Sequence, residues 1–135
     1  MTALWRRFVA SNQSFMRLPL WVRLWILIGL GGVNAAALAL THWPTGFWAS
    51  WALVAIVAVN LPMVLIQQGY GRILALPHLV VWIPLCVYAF LRLLADDATA
   101  GEQLYAALLL AVNGLSVAFD LRDSWHWLRG DRAVA

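Results

Sequence analysis

The chain has 135 residues, of which 64% are hydrophobic and 11% charged, against roughly 45–50% and 25% in an ordinary soluble domain. This balance excludes a water-soluble globular domain and points to a membrane protein, with no length left over for a separate soluble domain. Nine basic and six acidic residues leave a formal charge of +3. Every basic residue is Arg; the absence of Lys, beside abundant Ala, Leu and Trp, reads as the coding bias of a GC-rich bacterium. A single cysteine, Cys86, excludes an internal disulfide and every multi-cysteine metal or redox motif.

In chain order, Leu4, Trp5, Phe8, Val9, Phe15 and Met16 are interleaved with Arg6, Arg7 and Arg17, a pattern that predicts a short helix lying on an anionic inner leaflet. The first apolar segment follows at 19–40 and opens on Pro19. Ala37-Leu38-Ala39 resembles a cleavage site, but the apolar run exceeds the core of about 7–15 residues typical of a signal peptide, and a polar stretch separates it from Arg6-Arg7. The segment is therefore expected to remain as a span.

Further apolar segments occupy 47–66, 73–94 and 103–121, each near the roughly 20 residues that cross a hydrocarbon core. Pro44 precedes the second, and Thr99-Ala-Gly-Glu102 has the spacing of a capping box ahead of the fourth. The tail from Arg122 onward mixes Trp125 and Trp127 with charges and reads as a second interfacial segment. No segment alternates with period two, which argues against a barrel, and the short connections predict antiparallel neighbours. The expected fold is an all-α integral membrane protein: one domain over 1–135, four transmembrane helices in an up-down-up-down bundle, both termini cytoplasmic.

Orientation follows from the arginines. Arg6, Arg7, Arg17, Arg23, Arg72, Arg122, Arg129 and Arg132 fall on one side of this arrangement, and Arg92 alone lies near the other, beside Asp96, Asp97 and Glu102. The positive-inside bias places the first side in the cytoplasm. Tryptophans agree: Trp21, Trp25, Trp43, Trp48 and Trp51 sit at expected interfaces, Trp5, Trp125 and Trp127 at the cytoplasmic surface, and only Trp82 lies deep. The expected location is a bacterial inner membrane, multi-pass. Anionic lipid headgroups are the natural counter-ions of the basic ends, and nucleic acid is not an expected partner.

Two patterns bear on function. Gly31, Ala35 and Ala39, Gly32 with Ala36, Ala107 with Ala111 and Gly114 with Ala118 form small-xxx-small rows that allow close helix approach within one chain, in a homo-oligomer or in a larger membrane complex. Polar residues inside the spans are the second, because an unpaired polar group costs several kcal/mol in hydrocarbon. Asn113, Ser116, Asp120 and Asp123 lie within an arc of about 80° on the fourth helix. Asn60, His78, Ser116 and Asp120 share one depth, with Pro62 and Pro77 flanking it and Asn113 above. Asn60, His78, Asn113, Ser116 and Asp120 are thus the candidate binding cluster, set against a purely structural role in helix packing.

No catalytic spacing surrounds Ser116 and His78, so no enzyme is expected. One histidine within the spans is too few for a b-type haem, and the acidic loop reads as a solvated turn; no cofactor or metal is expected. The sequence favours a non-enzymatic accessory, scaffold or assembly protein, with a small transporter or channel for a proton or small solute as the alternative.

Overall fold

A computed structural model describes residues 2–133. Those residues are helical, with no strand among them, and four helices are long and apolar enough to cross a membrane. We number the elements α1 (Ala3–Arg17), α2 (Leu20–Ala39), α3 (Pro44–Gln67), α4 (Arg72–Leu93) and α5 (Ala100–Leu128).

Helix α1 starts where Thr2 accepts the amide of Trp5 and stops ahead of Pro19, whose preceding residue Leu18 is extended. Helix α2 departs from the uniform helix anticipated for the first segment. Trp25–Leu30 is a π-helical turn, Gly31–Ala36 is α-helical and Ala37–Ala39 tightens to 3₁₀. Glycines permit the wide turn: a β-carbon on Gly31 would approach the carbonyl oxygen of Ile26 to 2.9 Å, and one on Gly29 would meet the ring of Trp25 at the same distance. The sequence pattern marks these residues only as small, whereas two of them accommodate a local change of helix type.

Helix α3 begins at Pro44, in the first helical position, three residues before the apolar run. The loop before it folds back so closely that a β-carbon on Gly46 would collide with the Leu40 carbonyl oxygen. Its C-cap, Gln68, adopts φ 58, the left-handed conformation that closes a helix. Pro62 lies inside α3 and Pro84 inside α4. Pro77 sits in the first turn of the α-helical stretch Ala75–Leu93, where the missing N–H has no intrahelical partner to lose.

Helix α5 continues to Leu128, seven residues beyond the expected end, so the aromatic tail is an extension of the last helix and not a separate segment. Between Leu121 and Leu128 no Gly or Pro breaks the backbone ladder. The helix closes at Gly130, φ 103, where the Asp131 and Gly130 amides cap the carbonyls of His126 and Trp127.

The buried core is small and formed mainly by α3, α4 and α5, with Ala49, Ile56, Trp82, Leu85, Ala89, Ala106 and Leu109 interlocked. Alanines at the contacts let the helices approach. Large apolar side chains elsewhere, such as Ile66, Val80 and Leu104, point outward, as in a bundle whose solvent is lipid.

Candidate functional site

Polar side chains tie the helices at three levels. At the first, the ends of α3, α4 and α5 meet around Glu102, which is only 1% exposed. Arg92 donates from Nε and Nη2 to the two carboxylate oxygens of Glu102 at 2.8 Å each, a bidentate fork, and its Nη1 reaches Asp97 at 3.1 Å. Thr45 donates to Glu102 Oε1 from its hydroxyl at 3.0 Å and from its backbone amide at 3.3 Å. Thr99 accepts the Glu102 amide at 3.1 Å, as the capping-box spacing anticipates, but the Glu102 carboxylate turns away from the cap toward Arg92 and Thr45. Spacing along the chain cannot reveal this knot, because its members come from three helices. Its one legible signal is that Arg92 lies apart from the other arginines.

At the second level Asn34 of α2 and Asn113 of α5 exchange amides: each Nδ2 donates to the other's Oδ1, at 2.8 and 3.0 Å. Both are fully buried, and Asn34 Nδ2 also donates to the Leu30 carbonyl at 2.9 Å. Immediately before Asn34, the Val33 carbonyl accepts the Tyr105 hydroxyl at 2.9 Å. Asn113 is thus paired with α2, not with Asn60, His78 or Asp120, the residues with which the candidate cluster had grouped it.

The third level holds the rest of the candidate cluster. His78 Nε2 lies 2.7 Å from Asn60 Nδ2, and His78 Nδ1 lies 3.5 Å from Asp120 Oδ2. With the Asn60 amide N–H as donor, Nε2 is the acceptor and Nδ1 is the ring nitrogen turned toward the carboxylate. Trp82, one turn along α4, stacks on the imidazole with ring centres 4.4 Å apart. Asn60 Oδ1 and Trp82 Nε1 at this centre, and Ser116 Oγ one turn from Asp120 on α5, are buried without a hydrogen-bond partner, and Asp120 Oδ2 has only the 3.5 Å approach of His78. Asp120 faces His78, while Arg72 bridges Asp123 at 3.8 Å and Asp131 at 3.4 Å.

The polar stripe on α5 becomes steadily more enclosed. Side-chain exposure falls from 44% at Asp123 to 13% at Asp120, and the residues Ser116 and Asn113 are 3% and 0% exposed. Beyond Asn113 the buried layer of Leu109, Ala106, Leu85 and Ala89 separates this stripe from the Glu102 knot.

Helix α1 is bound to the bundle by its polar face. Arg7 Nη1 donates to the carbonyls of Leu65 and Ile66 at 3.3 and 2.9 Å, and Ser11 donates to that of Val64 at 3.1 Å. The Leu65 and Ile66 carbonyls belong to the last turn of α3, which lacks intrahelical donors, while the Val64 carbonyl also accepts the Gln68 and Gly69 amides; a cation at this end also complements the helix dipole. Ser14 accepts the Tyr70 amide at 2.9 Å, and Phe15 packs on Tyr70. The Tyr70 phenol, half-buried in this connection, has its pKa raised by burial. Leu4, Trp5, Phe8 and Met16 remain exposed on the apolar side.

Comparison with protein-family models, with curated proteins and with solved structures finds no match to this chain.

Proposed function

We propose that this chain is a non-enzymatic accessory or assembly protein of a bacterial inner membrane, an up-down-up-down bundle with both termini in the cytoplasm, acting through helix packing with itself or with larger membrane partners. The observation that carries this reading is the use made of the polar residues. Asn34 with Asn113, and Arg92 with Glu102 and Thr45, spend their hydrogen bonds between helices, and a buried, mainly apolar layer lies between the two levels. Such a bundle is braced for a fixed arrangement. The outward side of α2 meanwhile leaves Gly32, Ala35, Ala36 and Ala39 exposed, a surface on which a further helix can approach closely.

Affinity capture in mild detergent, with quantitative comparison of wild type and Gly32→Leu/Ala36→Leu, tests it. The reading expects a stoichiometric partner or second copy that the double variant loses while its helicity is unchanged. A monomer that retains no protein in either form would overturn it.

A second reading has its own support in the unpartnered atoms around His78. Here the chain is a small transporter or channel in which Asn60, His78 and Asp120 take up a proton or small solute; Asn113, occupied by Asn34, drops out of the set. Protonating the imidazole at Nε2 would oppose the Asn60 amide N–H, and half a turn of that amide would present its unpartnered Oδ1 as acceptor instead. Infrared titration of the Asp120 carboxyl, in wild type and His78→Ala, checks this reading together with pH-dependent flux in proteoliposomes. A midpoint that does not move on removing His78, and flux equal to that of empty vesicles, would exclude it.

A further inference from the structure

An apolar groove of about 440 Å³ opens on the outer surface between α2 and α5, lined chiefly by Trp21, Trp25, Ile28 and Gly29 of α2 and by Leu115 and Phe119 of α5. It runs roughly 12 Å along α2, eight residues at about 1.5 Å each. The π turn and Gly29 shape one wall: with no β-carbon at 29, the Trp25 ring lies against the backbone and the groove stays open beside it. Trp21 and Phe119, with ring centres 6.4 Å apart, mark one end.

The same face of α5 changes character immediately past that end. Leu115, Phe119, Arg122, His126 and Arg129 follow at intervals of four, three, four and three, the spacing of a single helix face. Side chains on a helix lean toward its N-terminus, here the direction of the groove, and Arg129 reaches back one turn to lie over the Trp125 ring at 5.6 Å. Arg122 and Arg129 are exposed and have no carboxylate partner among the described residues. The nearby acids are engaged elsewhere: Asp120 faces His78, while Asp123 and Asp131 are both bridged by Arg72. A dry groove leading onto unneutralised cations complements a molecule with an apolar chain and an anionic head.

We propose that the α2–α5 groove is a binding site for one anionic phospholipid, an acyl chain lying against Trp21, Trp25 and Leu115 and the headgroup phosphate held by Arg122, His126 and Arg129. The site stands apart from both functional readings above, since neither His78 nor Gly32 and Ala36 lines the groove. It is also more specific than general seating of the basic ends on a charged leaflet, because it assigns the headgroup to α5 and not to α1.

Native mass spectrometry of the full chain, titrated with phosphatidylglycerol or phosphatidylcholine in detergent, tests the assignment. Wild type should retain one phosphatidylglycerol in preference to phosphatidylcholine. Arg122→Gln and Arg129→Gln should each weaken that preference about fivefold, from the typical contribution of one cation near an anionic lipid surface. Arg122→Lys/Arg129→Lys should keep most of the preference, whereas Leu115→Trp, which fills the groove from an exposed position, should reduce retention of both lipids. Arg6→Gln/Arg17→Gln should leave the preference intact. The proposal fails if the α1 variant alone abolishes it, if the α5 variants do not change it, or if inorganic phosphate displaces the lipid as effectively as a second lipid does.

Discussion

Replacing Asn113 by Ala removes one half of the Asn34–Asn113 exchange and leaves the Asn34 amide oxygen without a donor in a fully buried setting. Asn34 retains its bond to the Leu30 carbonyl, so only the two interhelical bonds are lost. Polar pairs between membrane helices contribute about 0.6 kcal/mol on average and up to about 1.7. Two such bonds set the expected coupling between Asn34→Ala and Asn113→Ala at about 1–3 kcal/mol. Each single variant should lose about 2–4 kcal/mol, because truncation also leaves a cavity and strands a buried polar group. Equilibrium unfolding in mixed micelles of dodecyl maltoside and dodecyl sulfate, followed by far-ultraviolet circular dichroism, supplies the four stabilities of the cycle. The cavity costs cancel between its arms and the pair energy remains. Additivity within about 0.3 kcal/mol would refute the reasoning, since residues that exchange both their hydrogen bonds must couple.

Orientation is checked by single cysteines in a Cys86→Ala background: His42→Cys and Asp96→Cys should react with an impermeant thiol reagent in intact cells, while Asn12→Cys and Gly130→Cys stay protected, and the opposite pattern reverses the assignment. Gly46→Ala should destabilise the chain by about 1–3 kcal/mol in the same micelle assay despite the better helix propensity of Ala, because the added carbon would displace the Leu40 carbonyl. Tyr70 gives a pH dependence with a definite sign. Burial raises the phenol above its ordinary value of 10.0, so its contribution to the docking of α1 is complete below that pH and is lost as pH rises through the higher folded value. Amide exchange in α1 should therefore accelerate in the alkaline range in wild type and change less in Tyr70→Phe.

The spans were legible because hydrophobic content is a one-dimensional property: it survives without knowledge of any neighbour, and it located four helices to within a few residues at most boundaries. The last helix was the exception. Its end is set by where the backbone ladder breaks, at Gly130, and not by where the apolar residues stop. In the polar cluster, depth along each helix predicted that Asn60, His78 and Asp120 would meet, because all three lie on adjoining helices of the same sub-bundle. Asn113 entered the cluster through the shared face of α5, and the structure pairs it with Asn34 of α2. The Glu102 knot was hidden for a related reason: Arg92 and Glu102 lie ten residues apart across a turn, where each has an ordinary local explanation as a helix-end residue. Likewise the apolar pattern of α1 announced a surface helix, but nothing in it told that Arg7 and Ser11 would cap the end of α3.

The π turn at Trp25–Leu30 has a consequence for how the gene tolerates insertions and deletions. A π turn holds one residue more than the α-helical turn it replaces, so the chain there behaves as a helix with a spare residue taken up locally. Removing one residue between 25 and 30 lets that stretch close as ordinary α-helix, and Asn34 keeps its angular position toward Asn113. Removing one residue between Gly31 and Val33, where no slack exists, swings Asn34 by about 100° and breaks the pair. Two deletions of equal length, a few codons apart, thus have opposite fates.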